Sequence, residues 1–187
     1  MKARALILHA PGTNRDREAA LACQMAGAEA EIVHLNQLLA GERRLLDYGL
    51  LVVPGGFSYG DALGAGTLLA LDLRTRLREA LSRFIADGRP VLGICNGFQA
   101  LVKGGFLPGE AGERRVTLAP NRGAHFECRW VYLRPEAGSP CLFTRGLEGL
   151  LYVPVAHGEG NFVPREPAMV EALRKQGQVA LTYVDAE

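Results

Sequence analysis

The chain has 187 residues, of which 48% are hydrophobic and 22% are charged, and its formal net charge is +1. This length and balance fit one soluble globular domain with a sizeable core, and the near-neutral charge offers no basic surface of the kind that binds nucleic acid. No apolar stretch approaches the length of a membrane span, so we expect a cytoplasmic protein that binds neither nucleic acid nor membranes.

The first half of the chain alternates apolar strands with helices. Strands are predicted at residues 5–8, 30–35, 50–53 and 90–94, and helices at residues 16–26, 68–87 and 96–103. Apolar strands separated by helices are typical of a parallel sheet that is covered on both faces, with the functional site beyond the carboxyl ends of the strands. We therefore predict an α/β fold with a mostly parallel central sheet and helices on both faces, in a single domain covering residues 1–187.

The second half is predicted to add strands at residues 126–133, 151–156 and 179–184. The cysteines show neither a C-x-x-C pair nor metal-ligand spacing, so no metal site is predicted. Cys23 falls on the apolar side of a helix and Cys128 within a strand, and both are expected to be core thiols.

Another cysteine stands where the fourth strand meets the helix that follows it. Gly93 and Gly97 flank Cys95 and supply the small neighbours that a sharp strand-to-helix turn needs. Such a turn would expose the sulfur at the helix N-terminus, where the dipole favours a thiolate, and would leave the backbone amide of Asn96 to hold an oxyanion. The pattern predicts a nucleophile, and the alternative is a core cysteine between two packing glycines.

A glycine-rich loop follows the third strand. Gly55 and Gly56 let the backbone approach a ligand closely and expose amide groups. One of these amides could complete, with that of Asn96, an oxyanion hole above Cys95. The alternative is an ordinary turn between a strand and a loop.

Five segments in register carry a resemblance to a known family. They are residues 11–16, 54–61, 93–99, Asn121 with residues 126–131, and residues 154–162. Together they resemble the class I glutamine amidotransferases, and within them the glutaminase subunits of phosphoribosylformylglycinamidine synthase, an enzyme of purine biosynthesis. The resemblance covers nearly the whole chain and implies a flavodoxin-like form of the predicted fold.

The resemblance implies how Cys95 would act. Its thiolate would attack the side-chain amide of glutamine, form a glutamyl thioester and release ammonia. The amides near Gly56 and Phe57 and the amide of Asn96 would form the oxyanion hole.

The resemblance also implies which residues bind glutamine. Gln99 lies one helical turn after the nucleophile and would contact the substrate, together with Gly55, whereas the backbone near Gly158 would hold the amino acid moiety. The alternative for Gln99 is a glutamine on the helix surface.

The chain departs from the family pattern at the catalytic base. The family carries its histidine and glutamate in a Pro-His-Pro-Glu motif near the C-terminus, and residues 1–187 contain no such motif. We expect that motif beyond Glu187, and His157 with Glu159 are the alternative candidates for the base. Two alternatives stay open. The chain could be a non-catalytic docking subunit that lacks its base, or a cysteine-elbow protein of the DJ-1/PfpI type.

The implied partners are glutamine, a large synthetase subunit and a small third subunit. The complex would convert formylglycinamide ribonucleotide, ATP and glutamine to formylglycinamidine ribonucleotide. No cofactor is expected in this subunit, since ATP and Mg²⁺ would be used by the synthetase and no Gly-Lys-Ser/Thr phosphate loop is present in the sequence.

Overall fold

The chain forms two compact units, Met1–Arg114 and Arg115–Glu187, and the computed structural model describes residues 2–109 and 113–185. The first unit carries a four-stranded sheet in the order β2-β1-β3-β4. Its strands are β1 (Arg4–His9), β2 (Glu29–His34), β3 (Leu50–Val53) and β4 (Val91–Gly93). Its helices are α1 (Asp16–Met25), α2 (Leu35–Leu39), α3 (Thr67–Thr75), α4 (Arg78–Ala86) and α5 (Asn96–Lys103).

All three strand pairings of this sheet are parallel. The carboxyl ends of the strands therefore lie along one edge, and the loops after β1 and β3 and the start of α5 meet there. This confirms the predicted α/β fold with a parallel central sheet.

The two faces of the sheet are buried by different helices. Leu6 and Leu8 of β1 belong to a cluster that includes residues of α3, α4 and α5. Ala5 and Ile7 point to the opposite face, where they pack with residues of α1. Side chains alternate between the faces of a strand, so β1 is apolar throughout because both faces are covered.

The helix predicted at residues 68–87 is wrong as a single element, because α3 ends at Thr75 and α4 begins at Arg78. Near the end of α3 the hydroxyl of Thr75 donates to the Leu71 carbonyl at 2.6 Å, a contact that bends helices. The carbonyl of Asp72 accepts from the amides of both Arg76 and Leu77, and the helical ladder breaks there. The break leaves Leu77 buried in the core.

Residues 115–185 of the second unit form antiparallel sheets and one α-helix. β5 (Val116–Ala119) pairs with β8 (Asn161–Pro164), and β6 (Glu127–Pro135) lies between β7 (Leu151–His157) and β9 (Leu181–Val184). The strands predicted in this half correspond to β6, β7 and β9, whereas β5, β8 and α6 (Ala168–Lys175) were not predicted. The expectation of a core thiol at Cys128 is wrong, because Cys128 is exposed.

Residues 2–109 and 113–185 contain neither a candidate membrane-spanning helix nor a candidate metal-binding cluster. None of their helices is long and apolar enough to cross a membrane. Nor do they bring together three histidine, cysteine, aspartate or glutamate side chains that could hold a metal ion.

Candidate functional site

The junction between β4 and α5 has the sharp geometry that the sequence predicts. Cys95 has φ +50° and ψ −110°, a conformation that is rare and strained for a residue with a side chain. The amide of Ile94 donates to the Val53 carbonyl at 3.0 Å, and the amide of Gly97 donates to the Ile94 carbonyl at 2.9 Å. Cys95 is exposed, so the alternative of a buried core cysteine is excluded.

Both glycines of the junction are sterically required. A Cβ atom added at Gly97 would lie 1.9 Å from the carbonyl oxygen of Val53, and one added at Gly93 would lie 2.6 Å from the side chain of Leu101. The helix N-terminus can therefore rest directly on the end of β3 only because residue 97 has no side chain.

The glycine-rich loop after β3 lies beside the cysteine. A Cβ atom at Gly55 would be 3.5 Å from the Cβ of Cys95, an ordinary contact distance. Gly56 has φ +147°, and a Cβ atom there would be 2.8 Å from the amide nitrogen of Asn14 and from the carbonyl oxygen of Gly12. The loops that follow β1 and β3 are thus interlocked at the edge of the sheet, next to Cys95.

The amide of Phe57 is not turned toward the cysteine in this structure. It donates to the carbonyl of Gly12 at 3.0 Å, as part of the bridge that pairs Thr13 with Gly56. An oxyanion role for this amide would require that hydrogen bond to break. Gly56 is therefore the stronger candidate of the pair, and its role stays a prediction.

The backbone amide of Asn96 donates a hydrogen bond to the sulfur of Cys95. The pKa of the Cys95 thiol is nevertheless raised, first by burial against the sheet edge and also by the negative charge of Asp61, and the Asn96 amide only partly opposes these effects. One side of Cys95 faces solvent, but the loops behind it still desolvate the sulfur. The amide at the start of α5 favours the thiolate, as expected for a helix N-terminus, but burial outweighs it, and a base is needed to ionise the thiol.

Replacing Asp61 with asparagine is expected to lower the pKa of Cys95, because the change removes a negative charge that disfavours the thiolate. The rate of alkylation by iodoacetamide, followed against pH, should then reach its plateau at a lower pH than in the wild-type protein. Asp87→Asn serves as the control, since Asp87 pairs with Arg83 on the surface and is not among the causes of the Cys95 shift. Identical profiles for Asp61→Asn and wild type would contradict the prediction.

Gln99 is buried, with 6% of its surface exposed, and its side-chain oxygen accepts a hydrogen bond from the Asn96 side chain at 3.3 Å. The alternative of a surface glutamine is therefore excluded. Its contact with substrate glutamine stays a prediction.

The side chains of Ser58 and Asp61 also reach the site, and sequence reasoning missed them. Asn96 Oδ1 accepts from the amide of Ser58 at 3.1 Å and from its hydroxyl at 2.6 Å. Asn96 Nδ2 donates to Asp61 at 2.8 Å. Both missed residues lie in the 54–61 segment, and their polar character among glycines was the available signal.

In the second unit, Asn121 holds the turn that follows β7. The side-chain oxygen of Asn121 lies 3.0 Å from His157 Nδ1 and accepts from the Gly160 amide at 3.0 Å. The backbone amide of Asn121 donates to the Gly158 carbonyl at 2.9 Å. Because an amide oxygen only accepts, a hydrogen bond between the two groups is donated by Nδ1 of His157. The roles of His157, Glu159 and Gly158 stay predictions.

Comparison with known proteins finds a family model and close relatives. Residues 2–187 match the model of the CobB/CobQ-like glutamine amidotransferase domain. The chain is 49% identical over 195 residues to the phosphoribosylformylglycinamidine synthase subunit PurQ of Treponema denticola, covering 98% of this chain and 72% of that protein. It is 50% identical over 163 residues to the PurQ subunit of Dehalococcoides mccartyi, covering 87% of this chain and 64% of that protein.

Two solved structures of related proteins are also similar to this chain. A chain in the structure of PurLQS from Thermotoga maritima is similar over 100% of this chain and 76% of its own length, with a TM-score of 0.77 and 33% identity. A glutamine amidotransferase from Thermotoga maritima shares the fold, with a TM-score of 0.55 and 20% identity over 88% of this chain and 64% of its own length. The present chain thus spans about two thirds to three quarters of the length of these proteins.

Proposed function

The chain belongs to the family of CobB/CobQ-like glutamine amidotransferase domains, and from this membership we propose that it is the glutaminase subunit of phosphoribosylformylglycinamidine synthase. In this role it hydrolyses glutamine and supplies the ammonia to a synthetase subunit. The synthetase uses that ammonia in the ATP-dependent conversion of formylglycinamide ribonucleotide to formylglycinamidine ribonucleotide. A docking subunit without catalysis is not favoured, because the structure presents an exposed cysteine in a strained elbow.

The observation that carries the proposal is the geometry around Cys95. The backbone amide of Asn96, at the start of α5, donates a hydrogen bond toward the sulfur of Cys95. The loop that carries Gly55 and Gly56 lies against the Cβ of Cys95. A thiol needs an amide donor close to the carbon it attacks, because negative charge develops on the oxygen bonded to that carbon. This arrangement supports acyl transfer through a thioester.

The reaction proceeds through two tetrahedral intermediates. Cys95 gives its proton to a base, and its sulfur forms a bond with the side-chain amide carbon of glutamine, so that the carbonyl electrons move onto the oxygen. The oxyanion accepts hydrogen bonds from the Asn96 and Gly56 amides. The carbon–nitrogen bond then breaks, the nitrogen takes up the proton and leaves as ammonia, and water cleaves the thioester to release glutamate and restore the thiol.

The base that receives the Cys95 proton remains a prediction. The raised pKa of the thiol makes such a base necessary. The resemblance assigns the role to the histidine and glutamate of a Pro-His-Pro-Glu motif, and His157 is the alternative candidate within residues 1–187.

The proposed partners are a large synthetase subunit and a small third subunit. The similarity to a chain solved in a PurLQS structure supports this proposal. An enclosed path between subunits would also prevent loss of the released ammonia to solvent. ATP and Mg²⁺ are assigned to the synthetase, and we propose a cytoplasmic location for the complex.

The proposal is tested by assembling the protein with the synthetase and supplying glutamine labelled with ¹⁵N in its side-chain amide. We expect the label to enter formylglycinamidine ribonucleotide in an amount that matches the glutamate released. An assembled complex that uses ammonium chloride but releases no glutamate from glutamine would overturn the proposal.

A further inference from the structure

A buried polar network joins the two loops that flank Cys95. Asn96 is buried at the centre of this network. Its side-chain oxygen accepts hydrogen bonds from Ser58, and its side-chain nitrogen donates to Asp61 and Gln99. Ser58 and Gln99 are buried as well, so each of these polar groups depends on its protein partners. The network ties the start of α5 to the loop after β3.

The carboxylate of Asp61 and the backbone amide of Ser58 fix the orientation of the Asn96 side chain from its two ends. A carboxylate only accepts, so the Asn96 group that faces it must be the NH₂ group. The oxygen of Asn96 is then directed at Ser58, where it meets two donors, the backbone amide and the hydroxyl. If the Asn96 side chain were reversed, its NH₂ group would face the Ser58 backbone amide, which also donates, and its oxygen would face the Asp61 carboxylate, which also accepts.

The same polarity extends to Gln99. Its oxygen accepts from the NH₂ group of Asn96, which directs its own NH₂ group away from Asn96. Asp61 and the Ser58 amide, which orient Asn96, thereby also set which end of the Gln99 amide faces Asn96.

The loop held by this network has a strained backbone. Tyr59, Asp61 and Leu63 have φ values of +54°, +53° and +64°, all in the left-handed region that side chains disfavour. Such conformations persist only where the surroundings fix them. Ser58 is fixed by Asn96, and the Tyr59 hydroxyl donates to Asp72 at 2.6 Å.

We propose that Asp61 is a positioning residue that orients the Asn96 side chain, and that Asn96 thereby clamps Ser58 and holds the loop carrying Gly56 in place beside Cys95. The inference rests on the proposed glutaminase function and adds to it a device that sets the oxyanion donor against the nucleophile. One oxygen of Asp61 accepts from both Asn96 Nδ2 and the Gly66 amide, at 2.8 and 3.3 Å. The proposed role of residue 61 therefore requires an oxygen that accepts hydrogen bonds.

The test compares Asp61→Asn with Asp61→Leu in the complex with the synthetase. Asparagine keeps an oxygen that can accept both hydrogen bonds, whereas leucine has nearly the same shape and no acceptor. We expect kcat for glutamine hydrolysis to fall about 10²-fold in Asp61→Leu, as displacement of a positioned group by about 1 Å can cause. Asp61→Asn should retain activity within a few-fold of wild type.

Alkylation separates positioning from general damage. Iodoacetamide needs a thiolate but no oxyanion hole, so its rate on the high-pH plateau should stay within about 2-fold of wild type in both variants. Equal loss of hydrolysis in Asp61→Asn and Asp61→Leu would show that the charge matters and not the acceptor, and would overturn the inference. A lowered plateau rate in Asp61→Leu would also overturn it, because the nucleophile itself would be displaced.

A double-mutant cycle keeps the inference testable if Asp61→Leu does not fold. Ser58→Ala and Asn96→Ala each remove one side of the clamp but preserve the backbone amides at both positions. If the two side chains act through one contact, Ser58→Ala should have no further effect on kcat in the Asn96→Ala background. Additive losses would overturn the inference, whereas a wild-type complex that hydrolyses no glutamine would refute only the proposed function.

Discussion

Replacement of Cys95 with alanine is expected to abolish glutamine-dependent synthesis by the assembled complex and to leave ammonia-dependent synthesis intact. The alanine variant cannot form the thioester, so the loss should reach about 10⁴-fold or more, as for other nucleophiles that are removed from an active site. External ammonia enters the reaction after this step and does not need the thiol. The measurement is the rate of product formation with glutamine and, in parallel, with ammonium chloride.

Cys128→Ala is the matched control for this experiment. Cys128 is also an exposed thiol, but it lies on β6 in the second unit. Its replacement should leave both rates unchanged. Loss of both rates in Cys95→Ala would mean that the cysteine has a structural role, which would contradict its assignment as the nucleophile.

Replacement of Gly97 with alanine is expected to destabilise the protein severely. Alanine favours helices over glycine by about 1 kcal/mol, so local propensity alone predicts a gain in stability in α5. The added Cβ, however, would lie 1.9 Å from the Val53 carbonyl oxygen and 2.5 Å from its carbon. Because both atoms belong to the backbone and cannot move aside, we expect the free energy of unfolding to fall by about 3–5 kcal/mol.

Urea denaturation measures this loss, and Gly49→Ala provides the control. A Cβ atom at Gly49 would have its nearest neighbour at 3.7 Å, the carbonyl oxygen of Arg4, which is an ordinary contact. Gly49→Ala should therefore change the free energy of unfolding by less than about 1 kcal/mol. A Gly97→Ala variant as stable as wild type would mean that α5 can lift away from β3.

The parallel sheet and the cysteine elbow could be predicted from the sequence because each depends on residues that are adjacent in the chain. Uninterrupted apolar runs mark strands that are buried on both faces, and β1 and β3 follow that pattern closely. The elbow is encoded by Gly93, Cys95 and Gly97, within five consecutive positions. The order of the strands depends on crossovers between distant segments, and no local pattern specifies it.

The missed features depend on contacts between distant segments. The division between α3 and α4 is set where Leu77 meets the core, although helical periodicity continues through it. The occupied amide of Phe57 depends on Gly12, which lies in the loop after another strand. Asn96 binds Asp61 and Ser58, which precede it by 35 and 38 positions, so the sequence shows these residues but not their pairing.

The interlocked glycines also limit which positions could be mutated in order to make the site accept an amide substrate other than glutamine. Gly12, Gly56 and Gly97 admit no side chain, since each would place a Cβ within 3 Å of backbone atoms. The side chains of Phe57 and Leu63 belong to the same loop but are 55% and 83% exposed. A mutant library intended to change the substrate of this enzyme should leave the three glycines untouched and randomise the two exposed positions.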